Sequence, residues 1–453
     1  MKQSFERKIM DILMTGGRIK LICQIAMAFL FIFSAPCLAE QDYIDITNPS
    51  LRRIPIAIPL FRIMPQGQVN TQVSRNAPDL CAENLEFTGY FKILDRGAFL
   101  ENPRESDITG STTNFRNWTG IGAELLITGG IWINDGTLTM ELRLFDTFKS
   151  QILLGKKYTA GKDKLKKVMR TFCNEVIYYL TGRQGIFDSD IAFVSTSSGN
   201  KEIYLCDFDG QNSRAFTHHK TITLFPAWSS DGKWIAYTSY ARGKPDIFIK
   251  HLQEKRGFVI QNKGINITPA WVPGQFKLAA TLSYEGDQDI YLLTGRGEKI
   301  KKLTNQWGID TSPAWSPDGA KMAFVSNRSG TPQIYIKHIN SGRVERLTFQ
   351  GQYNTQPAWS PRGDKVSYSA REKSGEFNIC VVGFDGRGPV RLTYKARDNE
   401  SPSWSPDGSM IVFSSTREGP SRIYVMTAYG TDQRRLLTLP GQQTNPKWGN
   451  MDN

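Results

Sequence analysis

Residues Ser312 to Gly330 read SPAWSPDGAKMAFVSNRSG, and the first part of that stretch returns along the chain. FPAWSSDGKWIAYTS starts at Phe225, TPAWVPGQFKLAATLS at Thr268, QPAWSPRGDKVSYSA at Gln356 and SPSWSPDGSMIVFSS at Ser401, while a degenerate copy, NPKWGN, starts at Asn445. The shared prolines Pro226, Pro269, Pro313, Pro357, Pro402 and Pro446 lie 43 to 45 residues apart. A repeat of that length, built of short alternating runs between turn residues, suits a four-stranded propeller blade rather than a helical pair.

Each unit divides in the same way. Pro-Ala-Trp begins it as a first strand. Ser-Pro-Asp-Gly is a tight turn in which proline presets φ, aspartate bonds locally and glycine tolerates the exit. The KMAFVS type is the second strand. Third strands follow at Ile203–Leu205, Ile247–Ile249, Ile290–Leu292, Ile334–Ile336, Ile379–Val381 and Ile423–Val425, and runs such as Arg346–Thr348 and Arg391–Thr393 close the unit.

Ile191–Ser195 is a second strand that precedes every Pro-Ala-Trp, whereas Pro446-Lys447-Trp448 is a first strand with no second after it. Pairing these leftovers closes a ring and removes the exposed sheet edges of an open array. The predicted fold is therefore a two-domain one, a small α/β N-terminal domain followed by a six-bladed β-propeller over residues 186–453, sealed by mixed N- and C-terminal strands. Trp228, Trp271, Trp315, Trp359, Trp404 and Trp448 recur once per blade, where they are expected to fill the wedges between sheets.

Residues 40–182 follow a different pattern. Ile54, Ile56, Ile58 and Leu60 alternate with Pro55, Ala57 and Pro59, which predicts a strand kept at an edge or bulge by its prolines. Asp79 to Gly89 reads as helical and Phe91 to Leu94 as extended. Asn134-Asp135-Gly136 predicts a hairpin with Leu138, Met140, Leu142 and Leu144 on one face. Leu165, Val168, Met169, Phe172, Cys173, Val176, Ile177 and Leu180 recur at helical spacing, with Gly182 as the C-cap. That helix should pack on the sheet.

The 453 residues suffice for two domains. Leu21–Phe33 is apolar apart from Gln24, follows Arg18 and Lys20, and leads into SAPCLA before Glu40. Its 13 residues fall short of the roughly 20 that span a bilayer, so residues 1–39 are expected to be a cleaved signal peptide, with Met14 as a second possible start. Most of the formal net charge of +13 stays with the remainder. Its lysines and arginines are dispersed among acids, which favours acidic partners or an anionic envelope surface over nucleic acid. Cys81, Cys173, Cys206 and Cys380 show no metal-ligand spacing. Cys81 and Cys173 fall on apolar helix faces and could meet, but buried free thiols are expected.

Signatures of catalysis are missing. The sequence has no G-x-S-x-G elbow, H-E-x-x-H pair, phosphate-cradling glycine loop or dinucleotide fingerprint. His218, His219, His251 and His338 sit at unmatched positions and are expected at solvated surfaces, and Asp231, Asp318 and Asp407 have local duty in their turns. No catalytic residue, metal or cofactor is expected.

An exported chain with an α/β domain of this length and six blades marked by P-A-W-S-P-D-G resembles the TolB family of the Tol-Pal envelope system over nearly all of its mature length. The W-S-P-D-G motif alone is shared with propellers of prolyl oligopeptidase-like hydrolases, so a propeller-type hydrolase or its relic is the alternative. The closing strand ends the sequence, and no hydrolase domain is expected after it. The resemblance implies a periplasmic, non-enzymatic scaffold that reaches the membranes only through partners. Its propeller would hold the lipoprotein Pal at the channel mouth, and its N-terminal strand would engage TolA, in support of outer-membrane integrity and constriction at division. Other envelope proteins or bacterial toxins are further possible partners.

Transferred to this chain, the family's mouth falls on the residues expected in loops just before each first strand: Leu224 and Phe225; Ile265, Asn266 and Thr268; Asp310, Thr311 and Ser312; Asn354, Thr355 and Gln356; Asn399, Glu400 and Ser401; Thr444 and Asn445. The TolA-binding segment falls on Asp42, Tyr43, Ile44, Asp45 and Ile46, whose alternation suits an added edge strand. No acidic ring marks a cation site in the channel.

Overall fold

The computed structural model describes residues 52–65, 71–101, 108–373 and 375–451. The expected signal peptide, the start at Glu40 and the segment from Asp42 to Ile46 lie outside these residues.

The N-terminal domain has six strands: β1 (Ile54–Ala57), β2 (Arg62–Ile63), β3 (Phe91–Ile93), β4 (Leu125–Asn134), β5 (Thr137–Asp146) and β6 (Gln151–Gly161). The sheet runs β3-β1-β4-β5-β6, with β2 also paired to β4. β4 and β5 form the expected hairpin, its turn made by Asp135 at φ 47° and Gly136 at φ 76°. Two helices cover the sheet, α1 (Thr71–Phe87) and, after the short α2 (Phe115–Gly120), α3 (Leu165–Thr181). Leu138, Met140, Leu142 and Leu144 meet Val168, Phe172, Val176 and Leu180 in one buried cluster. Gly182 ends α3 at φ 69°, its N–H donating to the Tyr178 carbonyl at 2.8 Å.

Two expectations fail here. β1 is not an edge strand, because it pairs with β3 on one side and β4 on the other. Pro55 is tolerated because the β4 ladder begins only at Ile56, so its missing donor leaves no rung empty. The first helix begins at Thr71, well before Asp79, and runs through Pro78.

Six four-stranded sheets follow, a six-bladed propeller. In blade 1 the strand Gln443–Met451 pairs antiparallel with Ser189–Ser195, joining the end of the chain to the start of the propeller. Blades 2 to 6 begin with inner strands at Thr223, Asn266, Asp310, Tyr353 and Asn399. The turn aspartates act locally as expected: Asp231, Asp318 and Asp407 accept from Ser229, Ser316 and Ser405 at 2.5, 2.5 and 2.6 Å, and from backbone N–H groups beyond the turn.

The tryptophans do more than fill wedges. The indole N–H groups of Trp271, Trp315 and Trp404 donate to the carbonyls of Ala227, Ala270 and Ala358 in the preceding blade, at 3.1 to 3.2 Å. Trp228 donates to the Lys447 carbonyl at 3.0 Å, carrying this belt across the closure.

The N-terminal domain packs on the propeller face that carries the Ser-Pro-Asp-Gly turns. Arg170 of α3 pairs with Asp207 at 2.6 Å, and Arg434 donates to the Phe87 carbonyl at 2.6 Å. The starts of the inner strands open on the opposite face.

Candidate partner-binding face

Each inner strand carries the same irregularity. Between Leu224 and Ala227 the ladder skips, so that Phe225 and Pro226 oppose only Tyr237. The skip recurs at Thr268-Pro269, Ser312-Pro313, Gln356-Pro357, Ser401-Pro402 and Asn445-Pro446. Two residues against one is a β-bulge, which bends the strand and re-aims its side chains. The proline costs little, because a bulged N–H on an inner, edge strand has no ladder partner to lose.

The residue before each proline is left-handed. Phe225, Thr268, Ser312, Gln356, Ser401 and Asn445 have φ between 48° and 56°. Residues before proline ordinarily stay extended, and positive φ is costly for β-branched or bulky side chains, so Thr268 and Phe225 hold real strain. Hydrogen bonds stabilise the ring. Thr268 Oγ1 lies 2.8 Å from Thr281 Oγ1, whose hydroxyl donates to Thr311 Oγ1 at 3.2 Å. The Gln356 side-chain oxygen accepts from Ser369 Oγ at 2.7 Å and from the Ser401 N–H at 2.8 Å, and Asn445 Nδ2 donates to Ser401 Oγ at 3.1 Å.

All six left-handed residues line a central cavity of about 460 Å³, with the repeat prolines, tryptophans and small residues below them. Lys447 is the single charged residue among those lining it.

The expected mouth residues divide into three groups, with Ile265 apart from them. Phe225, Thr268, Ser312, Gln356, Ser401 and Asn445 reach the cavity. Leu224, Thr311, Thr355, Glu400 and Thr444 sit one residue earlier, paired to the second strands and half-buried. Burial, followed by repulsion from Asp398, raises the Glu400 carboxyl above its usual range. Asn266, Asp310, Asn354 and Asn399 are 0% exposed. Asn266 donates to Asp246 at 3.0 Å, Asp310 pairs with Arg328 at 2.8 Å, and Asn354 donates to Gln333 at 2.7 Å. Burial raises the Asp310 carboxyl, with Arg328 opposing it. Ile265 alone stays in a loop, its N–H on Ser283 Oγ at 2.9 Å. The other residues belong to the strands themselves, because each strand starts about three residues before its proline.

The residues that sequence reasoning missed stand around this mouth. Trp307, Phe349 and Tyr394 are 78%, 74% and 63% exposed, and Ile222, Tyr240, Tyr284, Ile309 and Tyr353 are also exposed. They lie at the starts of inner strands, on loops between a fourth strand and the next blade, or between second and third strands at the same end. Apolar residues inside segments that the repeat marks as loops were the available signal.

The histidines depart from expectation at two sites. His251 is buried, packed edge-on against Trp234 with ring centroids 4.8 Å apart, and its Nδ1 accepts from the Glu254 N–H at 2.9 Å. His219 is half-buried between Tyr237 and Ser239. Among the described residues no group of three or more His, Cys, Asp or Glu is placed to hold a metal.

Comparison with known proteins agrees with this architecture. Residues 178–452 match the model described as the TolB beta propeller domain, and residues 42–153 match the TolB amino-terminal domain. A Tol-Pal system protein TolB from Desulfosudis oleivorans is 58% identical over 94% of this chain and 97% of its own. A TolB homolog from Chlorobium luteolum is 42% identical over 95% and 98%. The crystal structure of TolB from Acinetobacter baumannii superposes with a TM-score of 0.78 at 25% identity, covering 88% of this chain and 97% of that one. The chain belongs to the TolB family.

Proposed function

We propose that this chain is a periplasmic, non-enzymatic binding component of the Tol-Pal system. Pal docks on the propeller face that carries the channel mouth, and the segment Asp42 to Ile46 engages TolA. Linking these partners supports outer-membrane integrity and constriction during division.

The observation that carries the reading is the arc of exposed large apolar side chains around the mouth, led by Trp307, Phe349 and Tyr394. Exposed apolar groups clustered on one face mark interaction sites, and aromatic anchors supply most of the binding energy at protein interfaces. The face points away from the N-terminal domain, so a partner seated there leaves the other side free. The relatives' Tol-Pal names give the partner class.

The test uses the chain without residues 1–39, the soluble domain of Pal and the C-terminal domain of TolA from the same organism. Deleting residues 41–47 should abolish TolA binding and leave a Pal complex. Absence of any Pal complex with the intact chain contradicts the reading.

A further inference from the structure

The residue between the repeat proline and tryptophan is Ala227, Ala270, Ala314, Ala358 and Ser403 in five blades, and Lys447 in the sixth. Five of these residues are small, and the sixth brings a lysine to the lining of the channel. The lining contains no aspartate or glutamate, and its other residues are proline, tryptophan, alanine, glycine, serine, threonine, glutamine, asparagine and Phe225. Among the described residues no ion pair includes Lys447 Nζ, and the bond that Lys447 makes uses its backbone carbonyl.

We infer that the channel is a binding site for a carboxylate carried on an apolar body, with Lys447 as the cationic seat and the proline and tryptophan walls holding the apolar part.

Three observations support the assignment. A partly buried charge without a partner is costly, and an anion brought to it recovers part of that cost. The lysine amine is lowered to about 8, and burial is the single cause. No neighbouring charge acts on it, and no other charged residue lines the channel. The cavity of about 460 Å³ has room for a small aromatic acid or for one acidic side chain with its neighbours. This site does not depend on the Pal reading, since it is defined for a small molecule and is tested without any protein partner.

The test measures the Lys447 amine directly. Competitive acetylation with mass spectrometry across pH 6 to 11 should place its titration near 8 in a low-anion buffer. Adding 3-phenylpropionate should move the titration upward by about one pH unit or more and slow the labelling, because a bound carboxylate favours the charged form. The matching amide, 3-phenylpropanamide, should leave it in place. Inorganic phosphate should shift it less than 3-phenylpropionate, and an equal shift would overturn the apolar part of the assignment. Lys447→Ala, the residue found in four other blades, should keep the fold and weaken 3-phenylpropionate binding at least about tenfold by calorimetry, about 1.4 kcal/mol. A titration unmoved by 3-phenylpropionate, or equal binding by the alanine variant, overturns the site.

Discussion

The indole Nε1 of Trp228 donates to the backbone carbonyl of Lys447 at 3.0 Å, joining residues 219 positions apart in sequence. The bond belongs to the same belt that links neighbouring blades through Trp271, Trp315 and Trp404, so it extends that belt to the blade where the ring closes. Trp448 strengthens it by donating to Ser189 Oγ at 2.8 Å.

Closure should therefore carry much of the propeller's stability. Removing Thr444 to Asn453 strips blade 1 of its inner strand and exposes the Ser189–Ser195 edge. Thermal unfolding of the truncated chain should lose its cooperativity or fall in Tm by more than about 10 °C, whereas Trp228→Phe should cost only about 1 kcal/mol. A truncated chain that melts like the intact one contradicts the closed ring.

Lys447 should make stability pH-dependent in a fixed direction. Below pH 8 both states carry the charged amine, and the folded state bears the full cost of enclosing it. Between about 8 and the ordinary lysine range the unfolded chain holds a proton that the folded one releases, so stability rises with pH there. In low-anion buffer at pH 7, Lys447→Ala should be more stable by up to ~3 kcal/mol, a gain that fades by pH 10.5. Chemical denaturation at the two pH values measures it, and a constant difference contradicts the assignment.

Ser312 reports the left-handed ring. Its φ of 54° suits glycine and penalises β-branched side chains. Ser312→Val should cost about 1–2 kcal/mol in urea denaturation, and Ser312→Gly should be near neutral. Equal stability of the two variants would mean that the bulge is not held in solution.

The cysteines should be silent in the folded protein. Cys81 and Cys173 meet with their sulfurs 3.7 Å apart, both 0% exposed, and Cys206 and Cys380 are buried free thiols. The hydrogen bond from Cys173, followed by burial, holds the Cys81 thiol well above its usual value. Maleimide labelling should find none of the four under native conditions and all of them in denaturant. Rapid native labelling of Cys81 contradicts this packing.

Much of the architecture was legible from periodic residues. Six prolines and six tryptophans at one spacing gave the blades, and the unmatched Ile191–Ser195 and Pro446–Trp448 runs gave their closure, because a repeat that lacks one strand must borrow it. The bulge was hidden. Phe225 and its equivalents precede proline, a context that reads as extended, so the left-handed turn appears only when two strands are set in register. The mouth was half legible: the repeat located its level, but not that strands begin about three residues early, which buries Asn266 and Asp310. Trp307, Phe349 and Tyr394 escaped because they lie in segments that the repeat marks as loops, where no periodic pattern singles out an exposed apolar residue. Pro55 misled because tertiary pairing decides whether a missing donor matters.

The most direct measurement is calorimetric titration of the soluble domain of Pal into the chain without residues 1–39 and into its Trp307→Ala and Phe349→Ala variants. Both residues are highly exposed and touch no core cluster, so melting temperatures should stay within about 2 °C. The account expects each variant to raise Kd at least about tenfold. Wild-type affinity in both variants would contradict the claim that this face is where the partner binds.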